Sequence, residues 1–549
     1  MTGAQPSRRW AALAALLALF AVVWFGPLDY RKLVKPDEGR YAEIPREMVA
    51  TGDWTTPRLN GIKYFEKPAL QYWATAVAYE AFGQHEWTSR LWTALTGFLG
   101  VLATIAATRR LWGPAAGLAA GCVLAGSLLY VLIGHINTLD MGVSFFLSTA
   151  IFAFVLAQRD GVPPAARRYW MWAAYALLGY ATLSKGLIGL ALPGATLVGY
   201  TLWQRDWALW KKLHLVSGTA VLLAIAAPWF IAVSLANPEF ARFFFIHEHF
   251  ERFLTKVHGR YQPFWYFVPV LLGGILPWLV SFLATLRKAA SRDATRFQPR
   301  RFLLVWIVVV FAFFSKSDSK LVSYILPLFP ALAALIGWHL SRLEPRALRW
   351  HALPWIPLGL AGMALAPRVV EFSSAEVPAA LYEAYVPWLV AACGCLAAGA
   401  AAAFVFAARE NRSAAVVSLA AGGLLFAQLA LNGHDSLSPS NSAYHIARQV
   451  AAEIPADAPF FSVNTYDQTL PFYLKRTVTM VSYKDELEFG IAQEPQKFIP
   501  DMAGFERAWR AAPKAYALMS PDNYEQYRAG GLPMRLLAAD TRRVIVAKP

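Results

Sequence analysis

The chain has 549 residues, 57% of them hydrophobic, 14% aromatic and only 16% charged, with a mean hydropathy of +0.38. Soluble domains carry about 25% charged residues, so a wholly water-exposed protein is excluded, as is a disordered one, which needs low hydrophobicity and high charge. The formal charge of +16 fits basic loops facing anionic membrane lipids rather than nucleic acid, and no nucleic-acid partner is expected. Cys122, Cys393 and Cys395 lie in apolar runs and read as small buried hydrophobes, not a disulfide framework.

A bilayer core takes about 20 mostly apolar residues per helix, and about thirteen stretches meet that description. They lie near 10–28, 88–108, 113–134, 140–157, 169–183, 186–203, 213–235, 264–286, 301–315, 321–340, 352–367, 384–407 and 414–432. The first follows Arg8-Arg9 and ends in Trp24-Phe25-Gly26-Pro27-Leu28-Asp29, without a small-residue cleavage site, so it is expected to stay as an anchor. Basic residues gather in alternate loops: Arg109 and Arg110; Arg159, Arg167 and Arg168; Arg205, Lys211 and Lys212; the run from Arg287 to Arg301; Arg342, Arg346 and Arg349; Arg409 and Arg412. The positive-inside rule then makes the N-terminus cytoplasmic.

This reading gives a polytopic α-helical membrane domain over 1–432 and a small α/β domain over 433–549. The polar loops 29–87 and 236–263 and the C-terminal domain share the non-cytoplasmic side. Strand-like runs are expected at Pro459–Val463, Val478–Tyr483, Lys514–Met519 and Arg543–Ala547, with helices at Tyr444–Ile454 and Ile499–Ala511.

The first loop opens with Lys35-Pro-Asp-Glu-Gly-Arg-Tyr41. On a helix Asp37 shares a face with Arg40 and Tyr41. Asp37 can be the cap of that helix, a catalytic carboxylate, or both. Further on, Thr56–Leu70 is too polar to span and too aromatic for plain linker, and an amphipathic helix is expected over Leu70–Phe82 along the interface. Lys67 can snorkel, or it can join Arg40, Arg58 and Lys63 in holding a phosphate-bearing lipid.

The second loop, from Phe243 to Phe253, reads as an amphipathic helix with His247–Glu251 and Glu248–Arg252 at i,i+4. Its His and Glu residues suit an ion-paired helix or a metal site, without the His-Glu-x-x-His spacing. Short loops on the same side add Asp140, Lys185 and Tyr324. An ammonium between two apolar runs is costly unless it snorkels or meets an anion, and Lys185 is expected to meet one. Asp140 either caps its helix or pairs with a cation to close a site.

Asp37-Glu38, Arg40-Tyr41-Ala42-Glu43-Ile44, Gly52-Asp53-Trp54, Pro57-Arg58-Leu59-Asn60-Gly61 and Phe65-Glu66-Lys67-Pro68 follow in that order within one loop. Together with the topology, this set resembles the aminoarabinose transferase family of type C glycosyltransferases, related to the protein O-mannosyltransferases. Ala69 stands where that family is associated with a second proline. The resemblance implies transfer of 4-amino-4-deoxy-L-arabinose from undecaprenyl phosphate to a lipid A phosphate, with inversion, at the periplasmic face of a Gram-negative inner membrane. It implies that Asp37, with Glu38, is the catalytic carboxylate motif and that Lys67 holds the donor phosphate, with Arg40, Tyr41 and Tyr64 beside it. It further implies Arg252, and less directly Arg260, as phosphate ligands. No cofactor is required, though a divalent ion such as zinc could sit between Glu66 and His247.

Cleaving a sugar–phosphate bond builds positive charge at the anomeric carbon and negative charge on the departing phosphate. Fixed cations stabilise that phosphate without reorganising. A phosphate acceptor is largely ionised at neutral pH, so Asp37 is needed more as an orienting or charge-stabilising group than as a base. A serine or threonine acceptor, as in protein O-mannosyl transfer, would need a true base. A lipid-linked sugar flippase is the alternative of another class, but its polar residues would concentrate at the bilayer midplane.

Overall fold

A computed structural model describes residues 6–251 and 262–549. Helix occupies each of the apolar stretches. Among the described residues, seven helices are long and apolar enough to cross a membrane, and the pair Phe267–Gly274 and Leu279–Ala289, bent by 110°, makes an eighth if it is one span. The N-terminal helix, Pro6–Phe25, stops where Gly26-Pro27 cannot continue it. It is anchored by buried Trp24, whose indole N–H donates to the Ala94 carbonyl at 2.8 Å.

The basic loops meet one another, as an alternating topology requires. Arg159 donates to the carbonyl of Arg110, Arg296 pairs with Asp206 at 2.8 Å, and Arg346 with Glu410 at 2.8 Å. Arg300 and Arg342 both lie over the Trp338 ring, at 4.3 and 5.1 Å.

The first loop is ordered throughout. A helix runs Asp37–Thr51 and ends on Gly52, whose φ of 72° is the left-handed conformation glycine tolerates. A hairpin follows, β1 (Arg58–Leu59) and β2 (Ile62–Lys63), turned by Asn60 and Gly61 with φ of 57° and 74°. Two consecutive positive φ values are what a two-residue Asn-Gly turn supplies. The expected amphipathic helix runs Leu70–Phe82, burying Tyr72, Ala76 and Tyr79 and leaving Val77 and Phe82 exposed. The second loop differs from its expected winding: Arg242–Glu251 is a π-helix. Its bonds run i to i+5; the expected pairs His247–Glu251 and Glu248–Arg252 involve side chains that lie outside the described ones. Buried Phe240 and Phe244 stack at 5.3 Å, and Phe243 stacks on Phe489 of the C-terminal domain at 3.8 Å.

The C-terminal domain holds β3 (Phe460–Val463), β4 (Thr479–Val481), β5 (Phe498–Ile499), β6 (Tyr516–Met519), β7 (Arg535–Ala539) and β8 (Val544–Ala547) in the order β5-β4-β3-β6-β8-β7. The strands β5, β4, β3 and β6 run parallel, while β8 pairs antiparallel with β6 and β7. The sequence missed β5 and β7, of which β5 is two residues long and β7 is mostly exposed. Alternate residues face opposite sides. Phe461, Val463, Ala517, Met519, Val544 and Val546 pack under Phe505, Trp509 and Tyr527 of the domain's own helices. Phe460, Met480, Tyr516, Leu518 and Ile545 instead join Tyr41, Ile44, Met48, Leu59 and Ile62 of the first loop. The sheet is thus covered on one side by the membrane domain.

Asn60 fastens this junction. Its amide donates to the Val478 carbonyl and accepts from the Val478 N–H, both at 2.7 Å, in a buried setting. An orphaned buried polar group costs about 1–3 kcal/mol. Asn60→Ala is therefore expected to lower the thermal unfolding midpoint and to speed proteolytic release of residues beyond 433, measured by limited trypsinolysis in detergent.

Candidate active site

A cavity of about 1410 Å³ forms where the first loop, the second loop, three short connections and the C-terminal domain converge. Asp37, Arg40, Tyr41, Glu66, Lys67, Asp140, Lys185, His247 and Tyr324 all line it. Leu187, Ile188, Ala191, Phe313, Phe314 and Leu321 give it an apolar flank. One pocket therefore carries cations, carboxylates and a greasy wall.

Asp37 is the first residue of its helix, and Pro36 rather than Asp37 occupies the cap position, without a side-chain bond. Its carboxylate stays 35% exposed and accepts from Arg40 at 3.3 Å. Arg40 also pairs with Glu486 of the C-terminal domain and lies over the rings of Tyr41 and Tyr64 at 5.7 and 6.0 Å. Burial pushes the Glu486 carboxyl up to about 7; the Arg40 guanidinium and a bond from Gln468 oppose that rise, and Glu66 and Asp485 add to it. Burial likewise holds the phenols of Tyr41 and Tyr64 well above their ordinary range. Tyr64 does not line the cavity; it packs beneath Arg40.

Lys67 donates to the Glu66 carbonyl at 2.7 Å and stands 3.7 Å from the Glu66 carboxylate. Lys185 ion-pairs with Asp140 and lies 4.7 Å from the Tyr324 ring. Asp140 also accepts from the Ser323 hydroxyl at 2.9 Å. Asp140 is thus the partner of a cation, and its place at the start of the helix Asp140–Gln158 serves the pair.

Besides Tyr64, two expected site residues lie elsewhere. Glu38, next to Asp37, points away from the cavity and is buried against Arg90, which donates to it at 2.8 and 2.9 Å. The main-chain N–H groups of Val34 and Asn137 donate to it as well. Although burial alone would raise it, this shell of donors holds the Glu38 carboxyl down at about 2. The physical reason is helix geometry: successive residues turn by about 100°, so one acid of the pair faces the cavity and the other the core. Arg58 is held by Glu494 at 2.9 Å at the junction with the C-terminal domain, away from the cavity. Arg252 and Arg260 lie outside the described residues.

Glu66 and His247 reach the same cavity. Among the described residues no group of three or more His, Cys, Asp or Glu side chains could hold a metal ion. Protein zinc sites use three or four such ligands, so the described residues do not fit a resident zinc.

The sequence reading did not find Glu486, Gln468 or Arg242, all of which line the cavity. The acidic run Asp485-Glu486-Leu487-Glu488 is visible as charge, but only the docking of the sheet on the first loop brings it to Arg40.

Residues 446–548 match the family model of the aminoarabinose transferase C-terminal domain, and residues 10–244 that of dolichyl-phosphate-mannose-protein mannosyltransferase. The undecaprenyl phosphate-alpha-4-amino-4-deoxy-L-arabinose arabinosyl transferase of Aeromonas salmonicida is 38% identical over 331 residues, 59% of this chain and 59% of that protein. Its counterpart in Erwinia tasmaniensis is 30% identical over 519 residues, 89% of each chain. The chain thus spans less than two thirds of the Aeromonas relative and most of the Erwinia one. The crystal structure of ArnT from Cupriavidus metallidurans bound to undecaprenyl phosphate superposes with a TM-score of 0.94 at 41% identity, covering 98% of both chains.

Removing one partner of a buried ion pair costs about 3–5 kcal/mol, more than removing both. Glu38→Ala is expected to destabilise the protein strongly, and Glu38→Leu combined with Arg90→Leu less than either single change, in a double-mutant cycle of thermal unfolding. Because the Glu38 carboxyl is depressed in the fold, its contribution is full above the ordinary carboxylate range and is lost only as pH falls through about 2. Acidification to about pH 5 should leave the cycle unchanged.

Proposed function

Since the chain belongs to the aminoarabinose transferase family, we propose that it transfers 4-amino-4-deoxy-L-arabinose from undecaprenyl phosphate to a phosphate of lipid A. The place is the periplasmic face of the inner membrane of a Gram-negative bacterium. What carries this reading is the single cavity that joins Asp37, Lys67, Arg40 and Lys185 to an apolar flank. The polyprenyl chain lies along Leu187, Ile188, Phe313 and Phe314, and the donor phosphate sits among the cations.

In the reaction the bond between the anomeric carbon and the donor phosphate oxygen breaks, and an acceptor phosphate oxygen forms the new bond from the opposite face. The electron pair of the broken bond leaves with undecaprenyl phosphate. Lys67, Arg40 and Lys185 stabilise that departing charge in a site already oriented for it. Asp37, partly exposed and steered by Arg40 at 3.3 Å, stabilises the cationic sugar carbon. An ionised acceptor phosphate has no proton to surrender, so Asp37 need not act as a base. The match of residues 446–548 to the aminoarabinose transferase C-terminal domain favours this acceptor over a protein hydroxyl.

Mass spectrometry of lipid A from cells with and without the protein tests the reading. An added aminopentose is expected with the wild type and its loss with Asp37→Asn, while the variant still inserts and binds undecaprenyl phosphate. Unmodified lipid A beside glycosylated protein would overturn it. A second outcome concerns pH. Glu486, raised to about 7, gains negative charge in the cavity as pH rises through that value. Affinity for undecaprenyl phosphate is therefore expected to fall between about pH 6 and pH 8, and the dependence to flatten in Glu486→Gln, measured by titration of the purified protein.

A further inference from the structure

We propose that Arg242 receives the phosphate of the acceptor lipid at the rim of the cavity, an assignment that rests on the phosphate-acceptor function proposed above. The transfer brings two phosphates into one pocket, the one that leaves and the one that attacks. The cations deep in the pocket are already set against carboxylates. Arg40 faces Asp37 and Glu486, Lys67 faces Glu66, and Lys185 faces Asp140. Among the described residues carboxylates outnumber cations along the lining, so an incoming phosphate needs a cation that is not already set against a carboxylate.

Arg242 is that charge. It lines the cavity, its side chain is exposed, and among the described residues no carboxylate lies within ion-pairing distance of it. Its neighbour Glu239 is taken up by Lys63 at 2.6 Å. The position also suits a lipid. Arg242 lies six residues beyond the end of the helix Leu215–Ala236, whose Ile231 and Leu235 are 58% and 80% exposed, and one turn on from Arg242 lies Ile246, 48% exposed and also lining the cavity. Acyl chains along Ile231, Leu235 and Ile246 would stay in apolar surroundings while the headgroup phosphate meets a guanidinium that can bind it bidentately.

The test is steady-state transfer by the full-length purified protein, with undecaprenyl phosphate-aminoarabinose as donor and bisphosphorylated lipid A as acceptor. Arg242→Ala is expected to raise the acceptor KM about ten-fold, the effect of one charge-assisted phosphate contact, with the donor KM and the rate at saturating acceptor changed less than about two-fold. Arg242→Lys should recover part of the loss. Lipid A stripped of its phosphates should compete more weakly than intact lipid A against the wild type, and the gap should narrow in Arg242→Ala. An unchanged acceptor KM overturns the assignment, and so does a rise confined to the donor KM, which would give Arg242 to the leaving phosphate. Failure of the wild type itself to modify lipid A would overturn the proposed function instead.

Discussion

The guanidinium of Arg90 spends every N–H direction it has. Two bonds go to Glu38 and the others to the main-chain carbonyls of Leu28, Arg31 and Lys32. Those partners belong to the exit of the first helix and the entry of the helix Asp37–Thr51, while Arg90 belongs to the membrane-crossing helix Glu86–Trp112. A buried arginine is tolerated only when its donors are satisfied, so the chain between Leu28 and Glu38 has one arrangement open to it. That arrangement sets the rotation of the helix and turns Asp37 and Arg40 toward the cavity. The buried acid is thus the one that aims its exposed neighbour.

From this fixed point the pocket is closed by parts far apart in the chain. Asp140 and Lys185 hold two helix ends together, and Glu486 reaches Arg40 from the C-terminal domain. The balance between Asp37 and Glu486 for the same guanidinium is electrostatic, and it changes when Glu486 takes a proton. The charge of the cavity can thus be tuned by the protonation of a carboxyl on the C-terminal domain.

The membrane character, the apolar helices, the basic loops and most of the sheet were legible because hydrophobic periodicity and charge placement are local signals. The grouping of Asp37, Lys67, Lys185 and Asp140 was legible through motif order and through the cost of leaving a cation unpaired between apolar runs. Glu38 was misplaced because two adjacent acids look alike in sequence, although a helix sends them to different surroundings. Arg58 was misplaced because its partner, Glu494, sits in another domain and no local pattern announces it. Glu486 and Arg242 were missed for a related reason: the first depends on the docking of a sheet face, the second on which cations are already neutralised. The π-helix of the second loop was hidden because its Phe residues satisfy α-helical spacing equally well on paper.

The sheet that shares its inner face with the first loop has a bearing on how such proteins evolve and on how they can be recombined. A graft that exchanges residues 433–549 between relatives cuts through a continuous apolar core, leaving Tyr41, Ile44 and Leu59 against foreign side chains. Productive chimeras would carry the segment 29–87 and the C-terminal sheet as one heritable unit, and substitutions at the two surfaces would be accepted in compensating pairs.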